Sequence, residues 1–172
     1  MLFFIFCMGS VIGYLMEISY KLFAGQDYST AGMSKGPFCI TYGVASMLLF
    51  LLSKIIPDNI FIIFIISTIM LTTLEFISGN ILDKIFKITL WDYTSQRFCI
   101  NKYICGEFML LWGVLGVVFI KIILPIIQST FDALDSKISF YLCLILSVIM
   151  AVDYILVITN QVRTLRAKRR FL

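Results

Sequence analysis

The sequence predicts an all-α, polytopic membrane helix bundle with five transmembrane helices and an interfacial segment between the third and fourth. Three observations carry this. The 172 residues are 60% hydrophobic and 14% charged, against about 45–50% and about 25% in soluble domains. The apolar runs are near 20 residues and continuous rather than alternating. That selects helices over a β-barrel, because only these two structures pair every backbone group inside lipid. The third observation is a break in the apolar pattern at Leu90–Gly113, where aromatics mix with Asp92, Arg97, Asn101, Lys102 and Glu107. This length leaves no room for a separate soluble domain, so residues 1–172 are read as one transmembrane domain.

The first helix is expected over residues 2–23. It lacks a basic leader and a small-residue cleavage site, and reads as a membrane helix rather than a signal peptide. Gly9 and Gly13 form a GxxxG pair with Glu17 on the same face, a pattern that lets another helix approach closely. Residues 24–35 are polar and predict a loop. Pro37 fits a helix first turn, so the second helix is placed at about 37–56, ended by the Pro57-Asp58-Asn59 turn. The third helix follows at about 60–83, with Thr68, Thr72, Glu75 and Gly79 on one face. The fourth spans about 103–128, broken late by Pro125, and the fifth about 138–160. Residues 161–172 form a basic tail.

Charge sets the expected orientation. An external N-terminus and a cytoplasmic C-terminus place 11 basic residues inside against 3 outside, as the positive-inside rule favours. The tail is then an orientation anchor, not a nucleic-acid patch.

Glu17, Glu75, Glu107 and Asp153 each sit about 6–10 Å from the same end of their helices, counting 1.5 Å per residue. Carboxylates within membrane helices are costly and usually face the bundle interior. Their common depth predicts a shared cavity open to the cytoplasm, holding a substrate or a cation. The alternative is four separate acids, neutral or paired with neighbours such as Lys21 or Lys102. Residues 90–102 would roof the cavity, with Trp91, Asp92, Tyr93 and Asn101 as an interfacial motif at headgroup level. Leu15-Met16-Glu17-Ile18-Ser19 and Leu74-Glu75-Phe76-Ile77-Ser78 hint at a parallel internal repeat, each followed by a helix with an early cysteine, Cys39 or Cys105.

The sequence offers little to an enzyme. There is no histidine, hence neither the commonest general base nor the commonest metal ligand. No GxxxxGK[ST] motif and no CxxC pair occurs, so no cofactor or metal is expected.

Taken in order, Gly36-Pro37-Phe38-Cys39-Ile40-Thr41-Tyr42-Gly43, Leu74-Glu75-Phe76-Ile77-Ser78-Gly79, Leu90-Trp91-Asp92-Tyr93-Thr94 and Leu111-Trp112-Gly113 resemble the motifs of the Putative ABC-transporter type IV family. These are CmpB-like permeases, small integral membrane proteins common in Gram-positive bacteria. The resemblance implies a multipass transport component in the bacterial cell membrane, and no catalytic residues. Such a small bundle would need a homo-oligomer, a separate ATPase or another membrane subunit. The competing expectation is a non-transporting regulatory partner that docks through residues 90–102.

Overall fold

The computed structural model describes residues 1–23, 25 and 36–170, with side chains through Asn160. The predicted 24–35 loop, apart from Gly25, and the side chains of the basic tail lie outside the described residues.

The first hairpin pairs α1 (Leu2–Phe23) with α2 (Ile40–Ser53). Asn59 then caps α3 (Ile60–Ile81), its side-chain oxygen accepting from the N–H groups of Phe61 and Ile62. Such caps satisfy backbone donors that a helix start leaves orphaned. α3 continues as a π-helical turn, Leu82–Phe86. Lys87 closes it with a left-handed backbone (φ 57°), and Ile88 N–H reaches back to Leu82 C=O. This is a Schellman-type stop, with lysine where glycine is usual. β1 (Cys99–Asn101) and β2 (Ile104–Cys105) make a small antiparallel hairpin. α4 (Gly106–Val118), a π turn at Phe119–Ile123, and α5 (Leu124–Ala133) form one continuous helical stretch. α6 (Ser136–Arg170) completes the chain.

Among the described residues, four helical stretches are long and apolar enough to cross a membrane: Leu2–Phe23, Ile60–Phe86, Gly106–Ala133 and Ser136–Asn160. α2 has 14 residues, short of the roughly 20 that a helix needs to cross. The expected second helix, 37–56, is therefore shorter. Its first turn does not contain Pro37, because residues 37–39 are held outside the helix by other elements. Cys39 N–H donates to Ser10 C=O at 3.0 Å. The Tyr154 hydroxyl of α6 accepts from Ile40 N–H and donates to Phe38 C=O. Pro125 also behaves differently from the expectation, since the helix runs on to Ala133. The π turn immediately before it supplies the slack that lets a proline sit in a helix without the usual break.

The two hairpins share one packing scheme. An added Cβ on Gly43 of α2 would lie 2.2 Å from Ser10 Oγ and 2.7 Å from the Phe6 ring. An added Cβ on Gly113 of α4 would lie 2.2 Å from Thr68 Oγ1 and 2.6 Å from the Phe64 ring. Gly9 faces Ser46 in the first pair, and Ser67 faces Gly116 in the second. Phe6, Gly9, Ser10 and Glu17 thus correspond to Phe64, Ser67, Thr68 and Glu75, 58 residues later. Tyr42, Gly43 and Ser46 correspond to Trp112, Gly113 and Gly116, 70 residues later. The parallel repeat is present in the packing, but Cys39 and Cys105 are not equivalent in this register. A glycine opposite a hydroxyl lets the backbones of a membrane hairpin approach closely. Phe4, Ile5, Leu49, Ile63, Phe119 and Leu124 fill the core between the hairpins away from the glutamates.

Candidate functional site

Glu75 is the charged side chain most deeply placed among the described residues, 6% exposed. Tyr93 O–H donates to its Oε1 at 2.7 Å, and Trp112 Nε1–H donates to its Oε2 at 2.7 Å. A buried carboxyl requires such partners, since leaving it unpaired costs several kcal/mol. The donors come from two places. Trp112 is on α4, directly across the second hairpin, whereas Tyr93 is in the segment between α3 and β1. Tyr93 in turn stacks on Phe108, centroids 4.3 Å apart at 16°. Burial, and then the Glu75 carboxyl beside it, push the Tyr93 phenol well above its usual range, so it remains a donor.

A cavity of about 360 Å³ opens in front of Glu75. Glu17, Lys21 and Tyr20 line it from α1, Tyr42 from α2, and Phe108 and Trp112 from α4. Trp91, Asp92, Tyr93 and Gln96 close it from the interhelical segment. Glu17 is paired with Lys21 at 3.4 Å, one turn along α1. Tyr42 and Trp112, the corresponding residues of the two hairpins, meet there edge to face at 5.9 Å. The cavity therefore sits where the two repeats join.

The segment that closes the cavity is built from short local bonds. Asp92 accepts from both the N–H and the hydroxyl of Thr94, which holds its carboxyl below the usual range. Tyr93 N–H bonds to Lys102 C=O. Asn101 Oδ1 accepts from Tyr103 N–H and turns the β-hairpin. Asp83, at the end of α3, accepts from Lys102 Nζ at 3.1 Å and from Tyr103 O–H at 2.6 Å. Gly79 leaves room for this layer: an added Cβ would lie 2.7 Å from the Tyr103 ring and 3.3 Å from the Trp91 ring.

Of the four acids singled out by depth, the structure places Glu17 and Glu75 on the cavity wall. Glu107 is exposed at the start of α4 and does not line it; counting depth ignored its direction around the helix. Lys102, one of the neighbours considered for pairing with the four acids, pairs with Asp83. Asp153 also lies off the cavity wall, where its Oδ2 accepts from Gly36 N–H at 3.0 Å. Trp91, Asp92 and Tyr93 line the cavity directly, while Asn101 only shapes the hairpin. The sequence reading missed Trp112 and Tyr42. Their signal was present, since each precedes the glycine at which its helix is packed closely.

The family model described as Putative ABC-transporter type IV matches residues 4–158. The chain belongs to that family. The match takes in both hairpins, the closing segment and most of the described part of α6. No curated protein and no solved structure matches the chain. With four apolar helical stretches of membrane-spanning length, this member of the family is a multipass membrane protein.

Proposed function

We propose that the chain is a permease or transport component whose solute site is the cavity between the two hairpins. The observation that carries this is Glu75: buried, held at both oxygens by Tyr93 and Trp112, and facing a cavity also lined by Glu17. A carboxyl in a membrane bundle is expensive, and such residues mark solute or ion pathways. The basic asymmetry of the sequence puts the closing segment, and hence the mouth, on the cytoplasmic side, with the N-terminus outside. α2 then crosses as a fifth span together with the residues that lead into it, which lengthen a helix of about 21 Å. Residues 90–102 lie at the cytoplasmic interface. The reaction needs no enzyme activity from this chain. A separate ATPase, another membrane subunit or a second copy would supply energy coupling, as the family description implies.

Sided labelling tests this reading. Thr41 lines the cavity. In a cysteine-depleted background, Thr41→Cys should react with a water-soluble maleimide in inverted vesicles and not in intact cells. Protection from both sides would mean a sealed void and no solute site.

A second reading has one observation in its favour. Phe98 and Ile100 on the hairpin are 81% and 71% exposed, and exposed apolar residues at a membrane surface can dock a regulatory partner. If so, Phe98→Ser with Ile100→Ser would release a co-purifying subunit without altering the labelling of Thr41→Cys.

A further inference from the structure

The walls of the cavity say which class of solute fits it. The rings form a continuous lining: Tyr20 contacts Phe108, Phe108 stacks on Tyr93, and Tyr42 contacts Trp112. Glu75 joins the two groups, since it accepts from Tyr93 on one side and from Trp112 on the other. Among the described residues, that wall carries three carboxyls (Glu17, Glu75 and Asp92) and one ammonium, Lys21. It is therefore negative as well as aromatic. Ring faces attract cations, and most strongly those that shed water easily. A small metal ion would instead require several oxygen, nitrogen or sulfur ligands. Among the described residues, no three His, Cys, Asp or Glu side chains could hold one. The volume lies at the small end of the range of about 300–1,000 Å³ for small-molecule sites.

Building on the reading of this cavity as a solute site, we propose that its ligand is a small organic cation, an ammonium compound. Its charged head sits against the rings of Tyr42, Tyr93 and Trp112 beside Glu75. Glu75 keeps unused lone pairs after its two bonds, so the ligand need not break the Tyr93 or Trp112 contact.

The chain reports its own occupancy, because its two tryptophans, Trp91 and Trp112, both line the cavity. The full chain in detergent micelles is titrated with choline, tetramethylammonium and benzyltrimethylammonium, reading tryptophan emission. The neutral isostere of choline, 3,3-dimethylbutan-1-ol, is the control. At least one ammonium should change the emission saturably, and choline should bind at least about tenfold more tightly than its isostere. Glu75→Gln should weaken that binding by a similar factor while eluting as the unaltered protein does. The inference is overturned if the alcohol binds as tightly as choline, or if Glu75→Gln folds and binds unchanged. It is also overturned if none of the three cations alters the emission. In that last case, Thr41→Cys still reacting with maleimide from the cytoplasmic side would leave the solute site standing without a cation preference. Thr41→Cys protected from both sides would remove both readings.

Discussion

The two hairpins use the same packing for different ends. In α1–α2, Glu17 is paired with Lys21 on its own helix, and the chain arrives at α2 through an extended stretch fastened by Ser10 and Tyr154. In α3–α4, Glu75 is paired across elements with Tyr93 and Trp112, and the chain arrives at α4 through a β-hairpin fastened by Asp83. The glycine–hydroxyl contacts are matched in both. The lesson is that close packing positions two glutamates alike, while the connecting segments decide what each can do. Glu17 is held by an ion pair one turn along its own helix. A tryptophan and a tyrosine from separate segments fix Glu75 at the centre.

The largest effect that would sharpen this contrast is expected at Glu75. Glu75→Ala removes the acceptor from two buried donors, at about 1–3 kcal/mol each. It should lower stability by about 2–4 kcal/mol in SDS-titrated mixed micelles, whereas Glu17→Ala should cost less, because its ion pair with Lys21 lies along one helix and ties no second element to it. Equal losses would break the distinction between the hairpins. Next come the matched glycines. Gly43→Ala and Gly113→Ala should each cost about 1–3 kcal/mol through overpacking, and by similar amounts, because the added Cβ meets a hydroxyl and a ring in both. A cost at only one of them would mean that the repeat is sequence resemblance without shared mechanics. Glu107→Gln should change neither stability nor cavity labelling by a measurable amount, since the side chain is exposed away from the cavity.

The smallest effect concerns pH at the β-hairpin. The bond to Asp83 chiefly holds the Lys102 ammonium above lysine's ordinary 10.5. A raised lysine contributes fully below its unfolded value and loses its contribution as pH rises through the folded one. Asp92, lowered by Thr94, contributes above the ordinary carboxylate range and loses its contribution only as pH falls through a still lower value. Hydrogen exchange in residues 90–105, corrected for its intrinsic pH dependence, should therefore show constant protection between about pH 6 and pH 9. A loss of protection within that window would place a different ionisation in control.

Much of this was legible in the sequence because membrane helices announce themselves locally. The bounds of α1 followed from hydropathy alone, and the shared glutamate motif anticipated the repeat. What was hidden depended on partners far along the chain. Glu75 is 37 residues from Trp112 and 18 from Tyr93, and no periodicity links them. Glu107 misled because depth along a helix is counted easily, while direction around it is decided by which neighbour arrives. The unwound start of α2 was invisible for the same reason. Pro37 permits a helix there, and Tyr154, 114 residues beyond Ile40, overrules it.

The account rests on Tyr93 being energetically tied to Glu75 and not to Glu17, and a double-mutant cycle measures that tie directly. Glu75→Gln, Tyr93→Phe and their combination are compared by equilibrium unfolding in mixed micelles, with Glu17→Gln replacing Glu75→Gln in a parallel cycle. A coupling of about 1–3 kcal/mol is expected between Glu75 and Tyr93, and additivity within about 0.5 kcal/mol between Glu17 and Tyr93. Additivity in the Glu75 cycle, or equal coupling in both, would contradict the account.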